Sequence, residues 1–166
     1  MQLKNQVEWA LHCGAILAGL PEGHYLPAKA LAELHGVPRE YLGKALQSLS
    51  QAGLVEGTLG PRGGYRLAKA PGAISFLDVV EAVEGKESTF ICTEIRKNNP
   101  CRRACPDASR RADSKSCGVA RVMWAADRAW RRSLTEVSLA ALVHTVQRDV
   151  PADLLHKTDA WVLAHT

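Results

Sequence analysis

The chain has no apolar run of about 18 residues, so no membrane-spanning helix is expected among its 166 residues. Its start, Met1-Gln2-Leu3-Lys4-Asn5-Gln6, lacks the charged-then-apolar pattern of a secretory signal and leads straight into an amphipathic stretch. A reducing cytoplasm is the expected setting. Internal repeats and low-complexity tracts are missing too. There is no glycine-rich phosphate loop, no paired carboxylates and no nucleophile–base constellation, so an enzyme is not expected. The chain is 46% hydrophobic, enough to fill one domain, or one small domain with an appendage.

Apolar side chains are nearly missing from the stretch between Cys92 and Cys117, which cannot bury a core of its own. Four of the five cysteines fall there, Cys92, Cys101, Cys105 and Cys117, spaced C-x8-C-x3-C-x11-C. In a reducing compartment, clustered cysteines bind metal or do redox chemistry more often than they form structural disulfides. A loop of this kind is expected to be ordered by a metal or by disulfides rather than by packing. The spacing lacks the paired C-x2-C pattern of structural zinc sites, which counts against zinc. Charge gathers at the same place: residues 86–132 hold twelve basic and five acidic side chains, whereas the whole chain has a net charge of +4. Arg102, Arg103, Arg110, Arg111 and Lys115 favour thiolates nearby.

What precedes the loop is organised by period. Val7, Ala10, Leu11, Gly14, Leu17 and Ala18 share one face of a helix over 5–18 that stops near Gly19. Glu8 and His12 sit together on another face, with Trp9 and Cys13 flanking them. Pro27 and Pro38 are expected at the first positions of two further helices, closed by Gly36 and Gly53. Leu54–Glu56 and Tyr65–Leu67 read as two strands around a glycine-rich tip carrying Arg62. Three helices followed by such a hairpin outline a winged helix-turn-helix. Ser75 and Asp78 form a capping-box pattern at the start of a helix that ends at Gly85.

Beyond Cys117, Val119, Val122, Met123, Ala126, Trp130 and Leu134 recur at helical spacing, an apolar face that suggests a dimer interface. Ser138 caps a shorter helix, and the tail after Pro151 has the length for one more. The expected organisation is mainly α. Residues 1–85 form the winged helix-turn-helix with a two-stranded wing, 86–117 the cysteine loop, 118–150 the dimerisation helices and 151–166 a tail.

The stretches V-E-W-A-L-H-C (7–13), G-P-R-G-G-Y-R-L (60–67), L-D-V-V-E-A-V-E-G (77–85), F-I-C-T-E-I-R (90–96) and C-G-V-A-R-V-M-W-A-A-D-R-A-W (117–130) occur together. In this combination the chain resembles the Rrf-type family of iron–sulfur winged-helix transcriptional regulators (IscR/NsrR-like), and within it the RsrR-like redox regulators. The resemblance implies a cytoplasmic homodimeric DNA-binding regulator, a repressor by preference, that senses redox state, nitric oxide or iron status through a cluster. [2Fe–2S] is favoured over [4Fe–4S]. Carried over by position, the ligands are Glu8 and His12 of one chain with Cys92 and Cys117 of the other. C-R-R-A-C-P (101–106) also resembles the family's last cysteine pair but lies twelve residues early, so Cys105 and Cys101 stand as alternative ligands. A structural zinc or a thiol/disulfide switch is the alternative to a cluster. DNA contacts are expected from Arg39, Glu40, Tyr41, Lys44 and Gln47 of the third helix and from Arg62, Gly63, Gly64 and Arg66 of the wing, on a palindromic operator.

Overall fold

Leucine spacing sets the core of the N-terminal part. In the computed structural model, which describes residues 2–60 and 63–166, Leu42, Ala45, Leu46 and Leu49 are all buried on one face of α3 (Arg39–Gln51). They meet the buried face of α1 (Asn5–Ala18), which contributes Val7, Ala10, Cys13, Gly14 and Leu17, and that of α2 (Ala28–His35). Pro27 and Pro38 stand at the N-caps of α2 and α3, one position earlier than expected; their fixed φ and missing N–H are spent on entry to the helix. The hairpin is β1 (Val55–Thr58) with β2 (Gly64–Leu67), antiparallel, Glu56 opposite Arg66 and Gly57 opposite Tyr65. Ser75 and Asp78 form the full capping box of α4 (Phe76–Glu84).

The hairpin is fastened by Leu26. The N–H of Leu26 donates to the Tyr65 carbonyl at 3.0 Å and the N–H of Tyr65 donates back at 2.9 Å. This pair brings the chain at Leu26–Pro27 so near Gly64 that a Cβ there would lie 2.4 Å from the Leu26 carbonyl carbon.

The later helices divide differently from the expected segments. The chain forms two compact units: residues up to Lys86 together with Leu134–Thr166, and Glu87–Ser133. Residues 134–150 are therefore part of the winged-helix unit. There, α7 (Leu139–Asp149) and α8 (Ala152–Leu163) supply Leu139 and Val162 to its core. Leu139 lies over Gly14, where a Cβ would come within 3.0 Å of its Cδ1. Two backbone bonds fasten the start of α7, Leu139 N–H to the Ile74 carbonyl at 2.9 Å and Phe76 N–H to the Val137 carbonyl at 2.8 Å. An apolar stripe fits a neighbour in its own chain as well as one in a second chain, and periodicity does not separate the two.

The second unit is α6 (Gly118–Thr135) and the segment before it. That segment is not a bare loop. It holds 3-10 turns at Ile95–Asn98 and Pro100–Ala104 and a short helix, α5 (Pro106–Asp113). None of these three elements has a buried residue. Arginines bonded to carbonyls give them order. Arg96 donates to the carbonyls of Ala112 and Lys115, and Arg102 donates to the Ser109 carbonyl and to Asp113. Residues 87–90 run along α6: Arg131 donates to the Glu87 carbonyl at 2.7 Å, Thr89 to Asp127 at 2.9 Å and the Trp124 indole to the Phe90 carbonyl at 3.4 Å. On another face of α6, Val119 and Val122 are 63% and 68% exposed.

Gly64→Ala is expected to cost about 1–3 kcal/mol, because the new methyl meets backbone rather than a mobile side chain. Melting should fall by roughly 3–10 °C in a thermal scan, while Gly72→Ala, with nothing within 4 Å, should melt near the wild type.

Candidate functional site

The candidate residues lie on the outer face of α3, on the wing, on the exposed face of α1 and in one pair of thiols. The first surface is the outer face of α3. Burying its leucines turns Arg39, Glu40, Tyr41, Lys44 and Gln47 outward, and all five are exposed. Tyr41 is anchored through its backbone, whose carbonyl accepts from the Gln6 amide at 3.3 Å. The Lys44 ammonium lies 5.7 Å from the Tyr41 ring centroid. A cation beside an exposed phenol at the start of a helix is suited to phosphates and base edges.

The wing is less free than its sequence suggests. Arg66 donates to Glu56 across the hairpin and packs 4.9 Å from the centroid of Tyr25, whose hydroxyl donates to the same Glu56 oxygen at 3.2 Å. The Arg66 hydrogen bond holds the Glu56 carboxyl below the usual carboxylate range, with the Tyr25 bond adding to it. Arg66 is thus engaged within the fold, and Gly64 is buried under Leu26. Gly63 donates its N–H to the Gly60 carbonyl at 2.9 Å in the turn. Arg62 lies outside the described residues.

The thiol pair is Cys92 with Cys117. Each sulfur acts on the other's thiol, although 24 residues separate the two in sequence. Cys117 directly precedes α6, and this placement explains its chemistry. The backbone N–H of Ala120 and then that of Val119 point at its sulfur and outweigh desolvation; Cys92 and the Arg96 cation add to them. The thiol is held below its ordinary value. Cys92 goes the other way. The Glu94 N–H favours its thiolate, but desolvation and the neighbouring Cys117 sulfur together push the thiol up. The Cys92 S–H donates to Glu94 Oε1 at 3.7 Å.

Cys101 and Cys105 do not join them. Both are exposed, one in a 3-10 turn and one at the N-cap of α5. Among the described residues, no group of three Cys, His, Asp or Glu converges as a metal site within one chain. The donors present suit half of a cluster site, two adjacent sulfurs of which one favours the thiolate.

Glu8 and His12 are exposed one turn apart on α1, as their spacing predicts. They border a groove of about 350 Å³ with Leu3, Val7, Phe76 and Leu142. The His12 ring stands 5.8 Å from that of His35, whose Nε2 is buried without a hydrogen-bond partner among the described residues. Burial, and then the nearby His12, push the His35 imidazole down. Cys13, on the inner face of α1, is fully buried, and burial pushes its thiol up to about 12. Sequence reasoning missed His35, Glu94 and Arg96. The last two stood in F-I-C-T-E-I-R, but only the fold shows what they touch.

Comparison with known proteins gives a consistent result. The profile of the Rrf2 family, described as an iron-dependent transcriptional regulator, matches residues 3–145. YffB of Lactococcus lactis, named as an HTH-type transcriptional regulator, is 30% identical over 162 residues, 98% of this chain and 97% of that protein. Among solved structures, CymR, the global cysteine regulator of Bacillus subtilis, superposes with a TM-score of 0.65 at 21% identity, over 87% of this chain and 98% of that one. IscR of T. potens superposes with a TM-score of 0.63 at 19% identity, over 92% of this chain and 93% of that one. At these identities the superpositions speak for the fold.

Iodoacetamide labelling followed across pH should order the thiols. Labelling needs the thiolate, so Cys117 is expected to react at the lowest pH, Cys92 only at higher pH, and Cys13 only after unfolding. Peptide mass spectrometry reads each site; equal profiles for Cys92 and Cys117 would contradict the asymmetry.

Proposed function

The chain belongs to the Rrf2 family of transcriptional regulators, and from that membership we propose that it is a homodimeric DNA-binding repressor that senses redox state, nitric oxide or iron status through an iron–sulfur cluster, [2Fe–2S] in preference to [4Fe–4S]. The observation that carries the reading is that Cys92 and Cys117, the latter at the head of α6, act on each other's thiols while Cys101 and Cys105 stand exposed. Two sulfurs in one chain leave a cluster half-ligated. Glu8 and His12 of a second copy, side by side on an exposed face, complete the set. When bound, the cluster supplies reversible one-electron chemistry and a rigid link between two chains.

The exposed stripe of Val119, Val122 and Met123 on α6 supports the second copy, since an unpartnered apolar face of this size is suited to association. In such a dimer α3 of each copy enters the major groove. Arg39 and Lys44 meet phosphates or guanine edges, Tyr41 and Gln47 lie beside them, and Glu40 faces cytosine amino groups. The glycine-rich wing tip at Arg62 and Gly63 lies along the backbone. Two-fold symmetry sets a palindromic operator with half-sites roughly 34 Å apart. No described helix is long and apolar enough to cross a membrane, and a cytoplasmic location fits a regulator of this kind. The link between cluster and DNA is a difference in how well each cluster state fits one spacing of the two reading heads.

The same thiol pair supports a second reading, a thiol/disulfide switch at Cys92 and Cys117 without a metal. Anaerobic purification separates the two. Two irons and two sulfides per chain, with visible absorbance, are expected for the wild type and for Cys105→Ala, and are expected to be lost in Cys117→Ala and His12→Ala. A colourless wild type that accepts no iron on reconstitution would remove the cluster. In the same preparations Lys44→Ala should weaken operator binding and reduce the salt slope by about one, the signature of a lost phosphate contact.

A further inference from the structure

Two residues of the F-I-C-T-E-I-R stretch, Glu94 and Arg96, have no part in ligation or DNA contact, yet their geometry is specific. Glu94 is the one described non-glycine residue in the left-handed region, with φ 54° and ψ 36°. Such a conformation persists only where the surroundings impose it. Here two contacts of its carboxylate impose it. Glu94 Oε2 accepts from Arg96 Nε at 2.7 Å, while Oε1 accepts from the Cys92 sulfur at 3.7 Å. The rest of the guanidinium points the other way. Nη1 donates to the Ala112 carbonyl at 3.1 Å and Nη2 to the Lys115 carbonyl at 2.6 Å. Three nitrogens of one rigid fork thus bind three acceptors. One acceptor lies two residues after Cys92; the other two lie at and just past the end of α5, five and two residues before Cys117.

We propose that Arg96, seated by Glu94, is the positioning residue of the thiol site: it clamps the chain leaving Cys92 to the chain entering Cys117 and so sets the approach of the two sulfurs. The inference rests on reading this pair as the cysteine half of the site. The segment between the cysteines contains two 3-10 turns and α5, none of them with a buried side chain, so hydrophobic packing cannot hold its two ends together. The clamp also accounts for Glu94, whose left-handed backbone aims one carboxylate at both the thiol and the guanidinium.

The test uses the full-length, metal-free, reduced protein and diamide. Each thiol gives up one hydrogen, the N=N bond of diamide takes up both to become the hydrazine, and the two sulfurs join. The rate of Cys92–Cys117 disulfide formation, read by peptide mass spectrometry, reports their approach. Arg96→Gln is expected to slow it by about tenfold. Arg96→Lys, which keeps the charge but cannot span three acceptors, is expected to be as slow. Glu94→Gln should be slowed as well. Arg103→Gln, at an exposed arginine of the same segment, should match the wild type, with far-UV circular dichroism confirming unchanged helicity in each. Wild-type rates in Arg96→Gln and Glu94→Gln would overturn the proposal. Full recovery in Arg96→Lys would also overturn it, by assigning the effect to charge alone. Iron and sulfide counts on the same proteins separate this from the cluster reading. A wild type without iron but with slowed variants removes the cluster and leaves the clamp; an iron-loaded wild type with unslowed variants removes the clamp and leaves the cluster.

Discussion

The sulfur of Cys117 set against the first backbone N–H groups of α6 is the contact on which the site depends. A helix start offers unpaired donors and a partial positive charge, and both favour an anion. Placing a cysteine there holds its thiol below the ordinary value. The helix also fixes where that thiolate stands, since α6 is held along residues 87–90 by Asp127, Arg131 and Trp124. Cys92 follows a few residues later in that same segment. One set of contacts therefore orients the long helix, delivers the second sulfur and leaves the Val119–Val122 face uncovered.

Hydrophobic burial and polar cross-linking are divided between the two units. In the winged-helix unit the core is leucine-rich, and α7 and α8 complete it; the close approach of Leu139 to Gly14 shows how closely α7 sits on α1. The cysteine segment has almost nothing apolar to bury, and arginine–carbonyl bonds order it instead. Such bonds are individually modest in water. They tie together the ends of a segment that has no buried side chain of its own. The arginines gathered around the cysteines are thus partly internal ties: Arg96 and Arg102 face inward, while Arg103 and Arg111 stay in solvent.

Much of this was legible in the residues, for reasons that differ from place to place. The helices α1, α3 and α6 are long and strongly periodic, and their predicted spans agree with the structure to about a residue. The Ser75 capping box is a local chemical pattern and needs no tertiary context. Helix register favours Cys117 over Cys105 because Cys117 directly precedes α6, and its sulfur sits at that helix start. What stayed hidden depends on the third dimension. Arg66 looks like a free wing cation until Glu56 is seen opposite it. Gly64 looks like turn glycine until Leu26 is found against it. The helix α5 is too short and too polar to announce itself, and the clamp at Arg96 joins carbonyls that no side-chain pattern encodes.

The central claim is that the sensing site is shared, sulfurs from one copy and Glu8 with His12 from the other. Co-expression of differently tagged chains tests it most directly, one carrying His12→Ala and its mate carrying Cys117→Ala, with iron counted on the purified mixed dimer. A shared site leaves one of two positions fully liganded, so about half the wild-type iron per dimer is predicted, while each variant alone as a homodimer holds none. A mixed dimer as empty as the two homodimers would contradict the account and place all the ligands within a single chain.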